Sequence, residues 1–168
     1  MGSGAPYIEL HAHSAFSFLD GASTPMELAA AAADCGYPAF ALTDHDGIWG
    51  SMEFAQACKG FGVRAIAGAE LTVTAGAHLT LLVESASGYR NLCQLLTQAH
   101  SHTRDSTGRT AGQPWVKLEQ LEAHAEGLVC LSGCAGEGAV AGAWERGDSA
   151  GAAAVARRLL AAFGRDSF

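Results

Sequence analysis

Charge is scarce in this sequence. Asp, Glu, Lys and Arg make up 16% of its 168 residues, only 10 of these are Lys or Arg, and no dense basic run appears. A domain that grips DNA by its phosphates presents a basic face, so the chain alone is expected to bind nucleic acid poorly. No basic stretch near the start precedes an apolar one, and no apolar run reaches membrane-spanning length. Neither a secretory signal nor a membrane segment is therefore expected, and a cytoplasmic location is. The five cysteines are odd in number and lack the spacing of a secreted disulfide scaffold. They read as reduced, mostly buried thiols. No long internal repeat and no sign of a second domain is found, so 1–168 reads as a single domain.

What is present is apolar and acidic. Hydrophobic residues reach 49%, enough for a buried core, and 21 glycines and many alanines favour close helix–sheet packing. The net charge is −7 with seven histidines counted as neutral, a balance that suits the gathering of divalent cations.

Strand and helix signals alternate along the chain. Residues 1–6 read as a flexible start, or in part as the remnant of an expression tag. Tyr7–His11 reads as a strand. Thr24, Pro25 and Glu27 form a capping box with proline at the first helical position, predicting a helix that runs to Gly36. Pro38–Thr43 is the second strand, 50–59 a helix closed by Gly60, Val63–Ala67 the third strand and His78–Val83 the fourth. Leu92, Leu95, Leu96 and Ala99 have helical spacing, giving a helix over about 89–100. Residues 101–114 read as an exposed loop. A short helix at 118–125, a strand at 128–131 and a helix at 150–163 ended by Gly164 follow, the last with one apolar stripe through Ala152, Val155, Ala156, Leu159, Leu160 and Phe163. Repeated βα units imply a parallel sheet or barrel.

The chemistry-bearing residues gather where these strands end. His11 and His13 are two apart on a strand, so both imidazoles can face one cation; alone, the pair is also compatible with an incidental polar strand end. Asp20 precedes Gly21, as turn residues often do. Asp44-His45-Asp46 places an imidazole between two carboxylates. His45 is the better ligand, and Asp44 can orient an imidazole, although Asp46-Gly47 alone would satisfy a turn. Glu70 follows the third strand, His78 opens the fourth, and Cys134 follows the strand at 128–131. Each is by itself more often structural. In a parallel barrel, however, strand ends meet on one face. Imidazole, carboxylate and thiolate gathered there form a divalent-metal site able to act on a phosphoryl group.

Taken together, Glu9–Ser14, Phe16–Gly21, Ala41–Gly47, Gly68–Glu70, His78–Leu82, Gly88–Leu92 and Leu131–Cys134 resemble, block by block, the PHP (polymerase and histidinol phosphatase) domain. The wording is most similar to the domain that opens error-prone and polymerase III alpha-type bacterial DNA polymerases. The resemblance implies an α/β fold, a distorted (β/α)7 barrel, with several divalent ions such as zinc, manganese or magnesium. It implies ligands at His11, His13, Asp20, His45, Glu70, His78 and Cys134, with Asp44 and His45 as catalytic groups. Among the few cations, Lys59 and Arg90 are the candidate phosphate contacts. Some members of the family hydrolyse phosphodiesters, including 3′–5′ exonucleolytically; others keep the fold for stability and partner contacts.

The family's last ligand block has no counterpart here. The barrel is therefore expected to be partial, with C-terminal strands missing, fewer ions bound, and edges open to self-association. No polymerase site is present, so the partner is expected to be the rest of a DNA polymerase, with DNA reached through it, and the chain alone is expected to be inactive. A stand-alone small-molecule phosphatase and an inactive metal-binding scaffold are the alternatives.

Overall fold

A computed structural model describes residues 6–104, 107–108 and 112–168. Most of the expected flexible start, and 105–106 and 109–111 of the expected 101–114 loop, lie outside these residues.

Four strands, β1 (Ala39–Leu42), β2 (Arg64–Val73), β3 (Ala77–Val83) and β4 (Leu128–Leu131), form one sheet in sequence order. The sheet is mixed, not parallel throughout: β1 and β2 run parallel, whereas β2–β3 and β3–β4 are antiparallel. The reason is chain length. Only the 3₁₀ turn Thr74–Gly76 separates β2 from β3, and a parallel return needs a crossover of about a dozen residues. β2 also runs well beyond the expected Val63–Ala67. Glu70 consequently sits inside β2, past the end of its neighbour β1, and not after the strand's end.

The expected strand at Tyr7–His11 is reduced to a single bridge between Glu9 and Phe40, although Ala41 and Thr43 still donate to Glu9 O and Ala12 O at 2.8 Å. The Glu9 carboxylate takes the N–H groups of Leu10 and His11 at 3.0 Å each, which removes them from any ladder. The other outer strand receives a contact from the C-terminal residues, where Cys130 N donates to Ser167 O at 2.8 Å.

Six α-helices are found among the described residues: α1 (Pro25–Asp34), α2 (Ser51–Phe61), α3 (Ala86–His100), α4 (Leu118–Glu122), α5 (Ala141–Glu145) and α6 (Ser149–Phe163). α1 starts as the sequence predicts. Thr24 Oγ1 accepts from Glu27 N at 3.3 Å, and the Glu27 carboxylate accepts from Thr24 N at 2.8 Å. α2 passes through Gly60 and ends at Gly62, which takes the left-handed conformation with φ of 74°. α3 begins earlier than expected because Ser85 caps it by accepting from Gly88 N. α5 is a single short turn with no periodicity for a sequence reading to find. On α6, Ala152 and Leu159 are buried, but Leu160 turns outward. No helix among the described residues is long and apolar enough to cross a membrane.

Two cores result. Ala29 and Ala32 of α1 pack with Phe54, Ala57 and Cys58 of α2 over Phe40 and Leu42 of β1. The larger core joins Ala69, Leu71 and Val73 of β2 with Leu79 and Leu81 of β3, Leu92, Leu95 and Leu96 of α3, and Leu159 of α6. Alternation along β2 and β3 then puts Glu70, Thr72, His78 and Thr80 on the opposite face. Of the five cysteines, all free, Cys58 and Cys130 are buried and Cys35 and Cys134 exposed, so the thiols are less buried than the composition suggested.

The packing of α3 is tight enough to test. A Cβ on Gly88 would lie 1.8 Å from Gly127 O, so only glycine lets α3 rest on the turn before β4. Gly88→Ala is expected to cost about 1–3 kcal/mol, seen as a lower urea midpoint at unchanged slope.

Candidate metal centre

Glu70 is the hub of the centre. It pairs directly with Thr80 across the β2–β3 hairpin, which puts His78, two residues earlier on β3, on the same face. Because β3 is antiparallel, its beginning lies beside the C-terminal part of β2. His45, beyond the end of β1, bridges to Glu70 from the other side. His11 and His13 come from the segment lying against β1.

Four imidazoles thus surround one carboxylate that is only 4% exposed. Glu70 Oε1 lies 3.1 Å from His45 Nδ1, 3.2 Å from His78 Nδ1 and 3.8 Å from His13 Nε2. Oε2 lies 2.5 Å from His11 Nε2. Successive ring centroids from His11 through His13 and His45 to His78 are 5.0, 6.0 and 4.5 Å apart.

Two triads have their donor atoms within 4.8 Å of one another, His11–His13–Glu70 and His45–Glu70–His78. His45 Nδ1 and Glu70 Oε1 of the second triad share a hydrogen bond at 3.1 Å, but the first triad is unsatisfied. His11 Nε2, His13 Nε2 and Glu70 Oε2 are buried and form no hydrogen bond; the first and last face each other without the alignment one needs. Buried polar atoms nearly always have partners. Unpaired atoms converging from two imidazoles and a carboxylate fit a divalent cation shared by them.

The electrostatics agree. Burial alone would raise the Glu70 carboxyl, but contact with His11 and His45 outweighs it and holds the group well below the ordinary carboxylate range. Contact with Glu70 raises His11 and His45 against the opposing effect of burial. His13 is lowered by burial, which Glu70 offsets only in part, so it favours the neutral form that ligates metals.

The remaining candidates are placed less centrally. Asp20 is 57% exposed on the loop before α1, with Oδ2 3.7 Å from His13 Nδ1. Cys134 lies on the loop after β4, where its exposed thiol accepts from Glu137 N at 3.4 Å; it belongs to neither triad. On that loop Glu137 comes nearer, its Oε2 3.5 Å from His78 Nδ1, a position unmarked in the sequence beyond being an isolated acid among glycines.

Asp44 does not orient an imidazole. Its buried carboxylate accepts from Ser14 N and Oγ at 2.8 Å, Ser17 Oγ at 2.9 Å and Gly50 N at 3.0 Å, tying the 14–17 loop to the start of α2. Asp46 stands beside an imidazole instead, with Oδ2 3.6 Å from His45 Nε2, and it accepts from Thr72 N and Oγ1 at 2.8 Å. A φ of 46° at Asp46 turns the chain sharply there.

Lys59 and Arg90 are not brought to the centre. α2 starts beside Asp44, and Lys59 is in its last turn, about 12 Å along the axis. α3 ends with His100 Nε2 donating to Asp46 O at 2.8 Å, and Arg90 is about 15 Å back along that helix. Both cations are exposed. A cleft of about 590 Å³ does open beside the centre, lined by Phe16, Ser17, Phe18, Asp20, His45, Asp46, Trp49, His100 and Pro114.

Known proteins share this chain's sequence at length. It is 41% identical over 94% of its residues to the error-prone DNA polymerase of Symbiobacterium thermophilum, and 38% identical over 76% to DNA polymerase III subunit alpha of Treponema pallidum. It spans 15% and 12% of those two chains, a small part of each. An amidohydrolase from Chromobacterium violaceum superposes with a TM-score of 0.47 at 35% identity, over 56% of this chain and 33% of its own. The family model for the PHP domain matches residues 9–168, and with the histidine–glutamate centre assembled on those residues, this chain belongs to the PHP domain family.

Proposed function

We propose that this chain is the PHP portion of a bacterial DNA polymerase of the error-prone or polymerase III alpha type, and that its centre binds divalent cations for phosphodiester hydrolysis. The observation that carries this reading is the shared carboxylate of Glu70 between two imidazole pairs, with three buried ligand atoms that form no hydrogen bond. His11, His13 and Glu70 would hold one ion, and His45, Glu70 and His78 another. Imidazole suits zinc and carboxylate admits manganese or magnesium. Ions bound there supply Lewis acidity toward a phosphoryl oxygen and make water more acidic.

The protein's own groups do the rest. The two nitrogens of His45 face different partners, Nδ1 toward Glu70 and Nε2 toward Asp46, so one serves ligation and the other carries a proton. Asp20, exposed beside His13, accepts or returns a proton at the mouth and is within reach as a further ligand. Cys134 is assigned as a ligand through the resemblance alone. Asp44 acts at one remove, by fixing the loop that bears Ser14 and Ser17.

The mixed sheet is read as an arc of the family's distorted barrel, the β2–β3 hairpin being the distortion. The rest of a polymerase chain is the natural partner, DNA is reached through it, and a cytoplasmic role in replication or repair follows. Self-association of the isolated chain through unclosed barrel edges is part of the same reading. A second reading, in which the ions only brace the fold, is favoured by the way Glu70 ties three separate segments of the chain together.

The test is metal analysis of the purified chain, followed by assays with single-stranded DNA and with a small phosphate monoester. About two ions per chain are expected, and cleavage of DNA would establish hydrolysis against the expectation that the chain alone is inactive. Cleavage of the monoester alone would make the protein a small-molecule phosphatase. Bound metal that raises the melting temperature without turnover would establish the brace. Absence of metal would end both readings.

A further inference from the structure

One wall of the cleft is an indole that is exposed and yet fixed. Trp49 is 56% exposed. Its Nε1 donates to His45 O at 3.2 Å. Its ring lies close against the bare backbone of Gly47, where a Cβ would come within 2.1 Å of Cε2. Its ring and that of His100 are nearly perpendicular, at 87° with centroids 5.8 Å apart, and His100 is itself anchored to Asp46 O. Phe18, 87% exposed on the loop before α1, lines the same cleft.

This arrangement has a chemical meaning. An exposed aromatic side chain normally keeps rotamer freedom that binding must remove; here the hydrogen bond to His45 O and the contact with Gly47 restrict it, so stacking on the ring is less costly. The cleft is continuous with the Glu70 centre, because His45 lines one and contacts the other. Its volume of about 590 Å³ is in the range of small-ligand sites. Among the described residues no Lys or Arg lines it, and aromatic rings are prominent in its wall. A flat, uncharged heterocycle joined to a phosphate fits these features.

We infer that Trp49 is a stacking platform for the nucleobase of a nucleotide whose phosphate sits at the Glu70 centre. The inference rests on the hydrolytic reading above and adds to it a grip on the base of a nucleic-acid end. Stacking is indifferent to base identity, so the site takes single-stranded ends without sequence preference.

Calorimetry on the manganese-loaded chain tests this with 2′-deoxyadenosine 5′-monophosphate, deoxyribose 5-phosphate and inorganic phosphate. The nucleotide is expected to bind roughly 5- to 150-fold more tightly than the sugar phosphate. Trp49→Ala is expected to abolish that advantage and leave inorganic phosphate binding unchanged, and Trp49→Phe to retain part of it. Gly47→Ala, which displaces the indole without removing it, should act as Trp49→Ala does, with melting curves confirming that each variant folds. The advantage of the base should also persist when salt is raised, because no ion pair makes it. Equal affinity for nucleotide and sugar phosphate, or a full advantage surviving in Trp49→Ala, would overturn the platform while leaving the metal centre standing. Failure of all three probes to bind would overturn the platform and the hydrolytic reading together.

Discussion

Replacing Glu70 by alanine is expected to empty the centre. The carboxylate belongs to both triads, so its loss reaches every ion that the four imidazoles hold. Groups that merely orient a metal ligand are worth roughly 10- to 100-fold in affinity, so a shared ligand should cost at least about 100-fold. Elemental analysis after dialysis should find almost no metal in Glu70→Ala. The double variants His11→Ala, His13→Ala and His45→Ala, His78→Ala should each keep part. Metal retained by Glu70→Ala at the wild-type level would remove the assignment.

The same variant separates proton effects from metal effects. In the metal-free chain the Glu70 carboxyl is depressed, so its contribution to stability is present above the ordinary carboxylate range and is lost as pH falls through its lowered value. His11 and His45 are raised, so their contribution is present below the ordinary histidine range and is lost as pH climbs through their raised values. Stability of the metal-free protein is therefore expected to peak between those two ranges. Glu70→Ala should flatten both flanks of a melting-temperature profile.

Asp44→Ala is expected to be the most destabilising change near the centre, and to be so without removing a ligand. It would leave two serine hydroxyls and two backbone N–H groups buried without their acceptor. Hydrogen bonds to a charged group are worth about 1.5–3 kcal/mol each, and they are not additive. A loss of about 3–5 kcal/mol follows, or a fall of roughly 6–20 °C in melting temperature for a domain of this size. Folded Asp44→Ala at low temperature should still bind metal. If the variant melts like the wild type but loses turnover, Asp44 acts in the chemistry and not through the fold.

Much of the centre was legible because strand ends are legible. His11, His13 and His45 each follow a short apolar run, and the expectation that such ends share one face places them together from the sequence. The hub was harder. Glu70 looked like a residue beyond a short strand, since Gly68 and Ala69 interrupt the β-branched pattern that marks strands. The ladder with β3 carries β2 through them.

Other positions failed for reasons of distance. The partners of Asp44 lie about thirty residues earlier in the chain, where two ordinary serines give no sign of a buried carboxylate. Lys59 and Arg90 looked close to the motifs in sequence, yet each is more than two helical turns from the helix end that reaches the site. Trp49 stands in no motif that the sequence analysis singles out.

The order of the residues determined the donor chemistry, the helix caps and the alternation that sends Glu70 and His78 to one side of their strands, because these depend on neighbours a few positions away. Tertiary structure decided the rest. Which carboxylate serves as the hub and which one braces the loop are set by contacts between segments 25 to 30 residues apart. Local preference carries no information across such spans; burial and hydrogen bonding in the folded chain do.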